Sequence, residues 1–259
     1  GIDHLVDLPG VGKNLQDHID YITVHKYNSI KLIGFSLKTI LFKYPYEVIK
    51  YLITKTGLFT STIAEAGAFL KTRDDLEAPN IQFHYAPAMV IDHGRQLLWG
   101  TGMSCHSCLL RPKSRGEVTL ESADPFADPL IDPKFLSHPD DMKDMIDGYK
   151  IMMKVLGTEP FSKYISDHTM RPIDINDDSD IEQAMREEAD TVYHPVGTCK
   201  MGDDEMSVVD SRLKVHNMKG LRVVDASIMP TLVGGNTNAP TIMIGEKASD
   251  MILQDWNMY

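Results

Sequence analysis

His194 stands first among the residues that could do chemistry. It lies in the run YHPVGTCKMG at 193–202. Pro195 biases the residue before it away from helix and towards an extended backbone, and Gly197 permits a turn that other residues resist. An imidazole held on such a stiffened turn suits general-base work, because histidine ordinarily titrates near neutral pH. The bland alternative is a structural histidine satisfied in a polar core. A second polar group, Asn236, Thr237 and Asn238, precedes the last helical stretch. Asn238 is a natural N-cap, and Pro240 fits a first turn, where a missing N–H costs little. This helix start is either simply well capped or points its positive end at a developing anion.

Other constellations carry less chemistry. Gly10 and Gly12 sit in GVGKNL, which lacks the third glycine of a dinucleotide loop and is followed by no clear helix. A structural turn is expected there rather than a phosphate cradle. Cys105 and Cys108 have C-x-x-C spacing with His106 between them. On a strand, residues three apart face opposite sides and cannot jointly clamp a metal. No second cysteine pair completes a zinc site, and no helix start is placed to lower a thiol pKa. No metal centre is expected. His4, His18, His84, His138 and His216 stand in no comparable context.

The elements that must position these groups read as α+β. Strands are expected at 21–28, 80–86, 103–110 and 116–121, in an antiparallel sheet. Apolar residues at helical spacing over 35–55, divided by Pro45 and stopped near Gly57, predict two helices. A longer helix is expected over 138–156, capped by Ser137, with Met142, Met145, Ile146, Tyr149, Met152, Met153 and Leu156 on its core face. That methionine stripe reads as gap-filling core rather than a metal box. A further helix is expected at about 179–190, a strand at 221–225 and a final helix from about 239 to 254.

Composition bounds the function. The 259 residues are 42% hydrophobic and 24% charged, which is globular and excludes disordered, collagenous and coiled-coil chains. A net charge of −11 argues against a nucleic-acid partner, which needs a basic face. Eight acids and one base fall between Asp174 and Asp190, read as a solvated helix face rather than a docking surface. The longest uncharged stretch, Ala226 to Gly245, holds two Pro, three Gly and two Asn, so no membrane span is expected. Three cysteines are too few for a disulfide scaffold and leave the compartment open. The chain begins with Gly1, and its first 30 residues show no charged region leading into an apolar one. It is expected to be a processed piece or a fragment of a longer reading frame.

Taken together, four blocks resemble the glucose–methanol–choline (GMC) family of FAD-dependent oxidoreductases, in family order. They are LVDLPGVGKNLQDH at the start, RPKSRGEVTLESADPFADPLIDPKF from Arg111, YHPVGTCKMG, and LRVVDASIMPTLVGGNTNAPTIMIGEKASDMI from Leu221. The local flavour resembles the glucose-dehydrogenase-like branch of insects. The resemblance covers almost the whole chain and implies oxidation of an alcohol or sugar, with a base taking the hydroxyl proton and hydride passing to flavin. It places the base at His194 and the second catalytic position at Asn236, an orienter of the substrate oxygen. It places Asp225 and Ala226 at the FAD ribityl–pyrophosphate region, and Thr237 and Asn238 at the helix start that faces reduced flavin. Glu65, in AEAGAF, matches a stretch where choline-type members hold an acid near a substrate cation, although a surface glutamate is the blander reading.

The resemblance also assigns domains. Residues 1–20 would belong to the FAD side. Residues 21–190 would form a substrate-binding domain, with the family's C-terminal domain starting near 111. Residues 191–259 would carry the histidine turn and the returning FAD-domain strand and helix. The family's ADP-binding G-x-G-x-x-G unit is expected upstream of Gly1. Tight FAD binding is therefore expected of a full-length parent and not of this chain alone. Apolar surface near Val223, Val224 and Ile228 should lie bare. The electron acceptor is left open, and secretion of the parent is implied only by resemblance. Two alternatives remain: a lyase on the same scaffold, and a non-catalytic binding module.

Overall fold

β-Branched and aromatic residues dominate IDYITVHK and IQFHYA, and both segments form strands of one antiparallel sheet. A computed structural model of the protein describes residues 5–27, 29, 31–91, 95–96, 98–164 and 171–257. His4 therefore lies outside the described residues. Contacts divide the chain into two compact units, one of residues 1–19, 110–142 and 191–259, the other of 20–109 and 143–190.

In the second unit the sheet is built on β1 (Ile19–Lys26), β3 (Ala66–Leu70), β4 (Ile81–Ala86) and β5 (Gly100–Leu109), in the order β3-β4-β5-β1, with a two-residue β2 (Gly34–Phe35) on β5. The path continues from β1 to a short β8 (Asp190–Thr191). Register is fixed by pairs such as Tyr21↔Ser107 and Phe83↔Ser107, which put Tyr21, Ser107 and Phe83 on one buried face. Against that face lies α2 (Pro139–Leu156), whose first residues are counted with the other unit. Met145, Tyr149, Met152 and Leu156, at helical spacing, are all essentially buried, and the Tyr21 and Tyr149 rings meet edge-on at 5.8 Å. Gly148 lets helix and sheet approach closely, since a Cβ there would stand 3.0 Å from Ile81 Cδ1 and Ser107 Oγ. Packing of this kind makes each large-to-small change cost about 2–5 kcal/mol.

Several elements differ from the sequence reading. The strand expected at 116–121 is β6 (Glu117–Thr119), and it pairs with β7 (Leu130–Asp132) in a separate two-stranded sheet of the first unit. Met152, not Met153, is the fully buried methionine at that level of α2, and Met153 is half-buried. His138, not Ser137, caps α2: its Nδ1 accepts from Asp140 N at 3.2 Å. The 35–55 segment is a π-helical turn, Thr39–Lys43, running straight into α1 (Tyr44–Thr54), because Pro45 sits in the first turn of α1, where its missing N–H is not needed. The expected strand at 221–225 is reduced to a single bridge, Lys214↔Arg222. Ile228 is buried at 5% exposure, while Val224 is exposed.

The acidic run forms α3 (Asp178–Glu188), capped by Asp177 and buried only at Ile181, Ala184 and Met185. Cys105 and Cys108 pair across the sheet with Thr23 and Asp20 respectively, on opposite faces as expected. Both thiols are buried and reduced, and burial pushes Cys105 well above the ordinary thiol range. Among the described residues no helix is long and apolar enough to cross a membrane.

The first unit has its own core, made by Val196, Val208, Val209, Leu213, Val215, Ile228, Met229, Leu232, Ile244 and Ala248. Its last element is α4 (Asn238–Asp255). Val196 follows the histidine turn, Leu232 precedes Asn236, and Ile244 and Ala248 lie on α4. One apolar cluster therefore anchors all three segments that carry the candidate residues.

Candidate active site

The segment KNLQDH at 13–18 clamps the histidine turn. Asn14 turns the chain at φ +62°, and its Oδ1 accepts from Gln16 Nε2 at 3.2 Å, so these two side chains meet beside the histidine turn. Asn14 Nδ2 donates to Gly197 O and to Pro230 O, both at 3.2 Å. Gln16 Nε2 donates to Pro230 O at 3.1 Å, and its Oε1 accepts from Leu232 N at 3.1 Å. The backbones of Gln16 and Val196 bond to each other in both directions. Gly197 is required here: its φ is +95°, and a Cβ would stand 2.4 Å from Asn14 O. Gly12 serves the structural turn foreseen for it, with φ +78° and its N–H on Thr198 O at 2.8 Å.

Asp17 points the other way and holds the turn from its far side. Its Oδ1 accepts from the His194 N–H at 2.9 Å, and its Oδ2 accepts from the Thr191 hydroxyl. Tyr193, just before the histidine, is forced to φ +65°, a conformation that non-glycine residues seldom adopt.

The rings then settle which nitrogen of His194 is basic. His18 is fully buried, and its Nε2 lies 3.2 Å from Leu110 O and 3.1 Å from Val233 O. Carbonyls only accept, so His18 Nε2 carries the proton. In a neutral ring His18 Nδ1 is then a lone pair, and it stands 2.9 Å from His194 Nδ1. With both rings neutral, His194 Nδ1 must donate, which leaves the lone pair of His194 on Nε2. The Asn236 amide nitrogen lies 3.3 Å from that Nε2. The arrangement is a half-buried imidazole with an accepting nitrogen, next to an exposed amide that can donate a hydrogen bond. It can accept a proton from a hydroxyl and steady the oxygen that loses it.

The remaining predicted residues fall as follows. Asp225 uses Oδ1 locally, accepting from Ser227 N at 2.8 Å and capping the short turn Ala226–Ile228. That turn bonds to the segment after His194 through Cys199 N→Ser227 O at 2.9 Å and Met201 N→Ile228 O at 2.7 Å. Thr237, not Asn238, holds the N-cap position of α4, in a helical conformation and without a side-chain cap bond; Asn238 is already in the helix. The first turn carries no acid, and Ala239, Ile242 and Met243 beside it are exposed. A helix start left uncapped by side chains, flanked by bare apolar surface, fits an electron-rich planar ligand. Glu65 lies in the other unit, exposed, with Oε1 accepting from Ser61 Oγ at 2.6 Å. His18 and Asp17 were missed by single-residue reasoning. No local pattern in the sequence marks them, because their partners lie more than 90 residues away.

A family model described as GMC oxidoreductase matches residues 112–245, just over half of the chain. The chain belongs to the GMC oxidoreductase family. An alcohol dehydrogenase [acceptor] of Pseudomonas putida is 45% identical over all of this chain and 47% of its own length. An oxygen-dependent choline dehydrogenase of Cronobacter sakazakii is 39% identical over 95% of this chain and 44% of its own. Formate oxidase of Aspergillus oryzae RIB40, solved as a variant affecting FAD modification, superposes with a TM-score of 0.89 at 26% identity, over 100% of this chain and 50% of that one. The chain thus spans about half the length of the relatives it matches.

Proposed function

We propose that this GMC oxidoreductase chain is the C-terminal part of an FAD-dependent enzyme that oxidises a CH–OH donor, an alcohol or a sugar. The observation that carries the reading is His194 Nε2 set 3.3 Å from the Asn236 amide nitrogen, on a turn held at both ends. FAD, when bound, supplies the hydride acceptor. His194 Nε2 takes the hydroxyl proton, and Asn236 donates a hydrogen bond to the same oxygen. The start of α4 at Thr237 and Asn238 supplies positive potential where negative charge gathers, as preorganised dipoles do. Asp225 and Ala226 would hold the ribityl–pyrophosphate side of the cofactor. The unit of residues 1–19, 110–142 and 191–259 then belongs to the flavin side, and the sheet unit to the substrate-binding domain.

The names of the relatives favour a small alcohol over a sugar. Glu65 as a cation-binding acid has less support, because its carboxylate is exposed and engaged with Ser61. The test is anaerobic stopped-flow reduction of bound flavin in the full-length protein, with flavin content measured first. His194→Ala should slow reduction by roughly 10²–10⁴-fold, the usual worth of a positioned base. Asn236→Ala should cost about 10–100-fold, the scale of one lost hydrogen bond to developing charge. An unchanged His194→Ala rate alongside a dead Asn236→Ala would reverse the roles. A flavin that stays oxidised while substrate is consumed would point to the lyase instead.

A further inference from the structure

The segment running through the π-helical turn and α1 is amphipathic in the wrong sense for a soluble protein. Its polar side chains face inward. Lys43 Nζ donates to Leu32 O at 2.9 Å, the Tyr44 hydroxyl donates to Gly34 O at 2.7 Å, and Glu47 Oε2 accepts from Leu58 N at 2.8 Å. Its apolar side chains face outward. Leu41, Phe42, Ile49, Leu52 and Ile53 are each more than half exposed, and α1 contains no buried residue. A soluble helix normally turns its apolar stripe to the core, and a contiguous bare patch of this kind marks a contact surface. Between Phe42, Tyr46 and Leu58 an open groove of about 540 Å³ is edged by Lys31 and Lys43.

Charge decides what covers the patch. Residues 31–55 hold five lysines and one glutamate, a net +4, in a chain whose total is −11. The other residues therefore carry −15. Lys31, Lys38 and Lys55 are exposed around the apolar face. A second copy docking by the same face would bring identical lysines together, which disfavours a symmetric dimer. An anionic lipid surface satisfies both features, since apolar side chains enter the acyl boundary while lysines reach the headgroups. The five residues of the π-helical turn and the eleven of α1, at no more than about 1.5 Å each, reach at most about 24 Å, short of a bilayer core of about 30 Å, so the segment lies in the interface and does not span it.

We propose that Thr39–Thr54 is an interfacial anchor that seats this protein on an anionic membrane surface. The experiment is co-sedimentation of the full-length holoprotein with vesicles of phosphatidylcholine alone and of phosphatidylcholine containing about one-third phosphatidylglycerol. Binding is expected on the anionic vesicles, weakening with salt. The triple variant L41S/F42S/I53S should lose more than about tenfold in vesicle affinity, and the pair K38E/K55E should lose most of the preference for phosphatidylglycerol. Flavin content and thermal melts show that the variants remain folded, because every altered side chain is exposed. As a second readout, Ile53→Trp should show blue-shifted emission on anionic vesicles. The proposal is overturned if wild type binds neither vesicle, or if the triple variant binds as well as wild type. It is equally overturned if the triple variant dissolves an oligomer of a wild type that ignores vesicles, since a protein then covers the face.

Discussion

Replacing His18 by Phe keeps a buried ring of similar shape and removes both of its nitrogens. Two effects follow. Leu110 O and Val233 O lose the donor they share. A buried polar group left unsatisfied costs about 1–3 kcal/mol, so the folded state should lose roughly 2–4 kcal/mol. His194 Nδ1 loses the partner that fixes its proton, and the ring becomes free to protonate Nε2 instead, which is useless as a base. That bias is worth one hydrogen bond, about 1–2 kcal/mol, or roughly 5–30-fold in the rate of flavin reduction. The loss should fall on kcat, with KM nearly unmoved, because His18 touches the base and not the substrate. The assay is single-turnover reduction of fully flavinated His18→Phe protein below its melting transition. A direct readout of the tautomer is also available: nitrogen-15 spectra of histidine-labelled wild type, assigned by comparison with His194→Ala, should show the His194 proton on Nδ1. A proton found on Nε2, or a variant rate within about twofold of wild type, would refute the chain of donors argued above.

Other outcomes follow from the same geometry. Burial lowers the His25 imidazole from its ordinary value near 6.5 to about 4, and among the described residues neither ring nitrogen has a hydrogen-bond partner. Between those values the unfolded chain binds the proton and the folded one does not. Stability should therefore fall as pH drops from about 6.5 to 4, by roughly 3 kcal/mol in total from this group. Urea titrations across that range should show His25→Leu lacking this component of the acid loss. Gly197→Ala combines a left-handed φ with a clash on Asn14 O, and should cost more than about 2 kcal/mol by chemical denaturation, with flavin reduction impaired as the turn shifts. Cys105 and Cys108 should resist thiol reagents in the native protein and react only on unfolding, because both are buried.

The parts legible in the sequence were those whose cause is local. Pro195 after His194, the β-branched runs of β1 and β4, and the methionine stripe of α2 each declare themselves within a few residues. The misreadings also have local causes that tertiary contacts overrode. GEVTLE reads as one more strand of the sheet, yet its partner is Leu130–Asp132 in the other unit. LRVVD has strand composition, but its backbone pairs only briefly, Leu221 O accepting from Val215 N and Val223 N donating to Leu213 O, within a loop-rich cluster. Asn238 has the chemistry of a cap, but the backbone turns one residue earlier, at Thr237.

The site itself was only half legible, because its essential bond joins residues 176 positions apart. His18 has no neighbour in sequence that marks it as more than a buried histidine. Its role appears only when Leu110 O and Val233 O are seen on one of its nitrogens and His194 on the other. Those carbonyls come from two different segments, and the core of Val196, Leu232 and Ile244 brings the histidine turn, the loop before Asn236 and α4 together. The basicity of His194 is thus a property of packing as well as of imidazole chemistry. This gives the shared core a kinetic consequence. Leu232→Ala leaves both rings in place, but it loosens the loop that carries Val233 O and Asn236. It should cost about 2–5 kcal/mol of stability. It should also slow flavin reduction below the unfolding transition, because displacing Val233 O weakens the bond that fixes the His18 proton. A Leu232→Ala protein that is destabilised yet reduces its flavin at the wild-type rate would separate the two, and would show that the tautomer is held by Leu110 O alone.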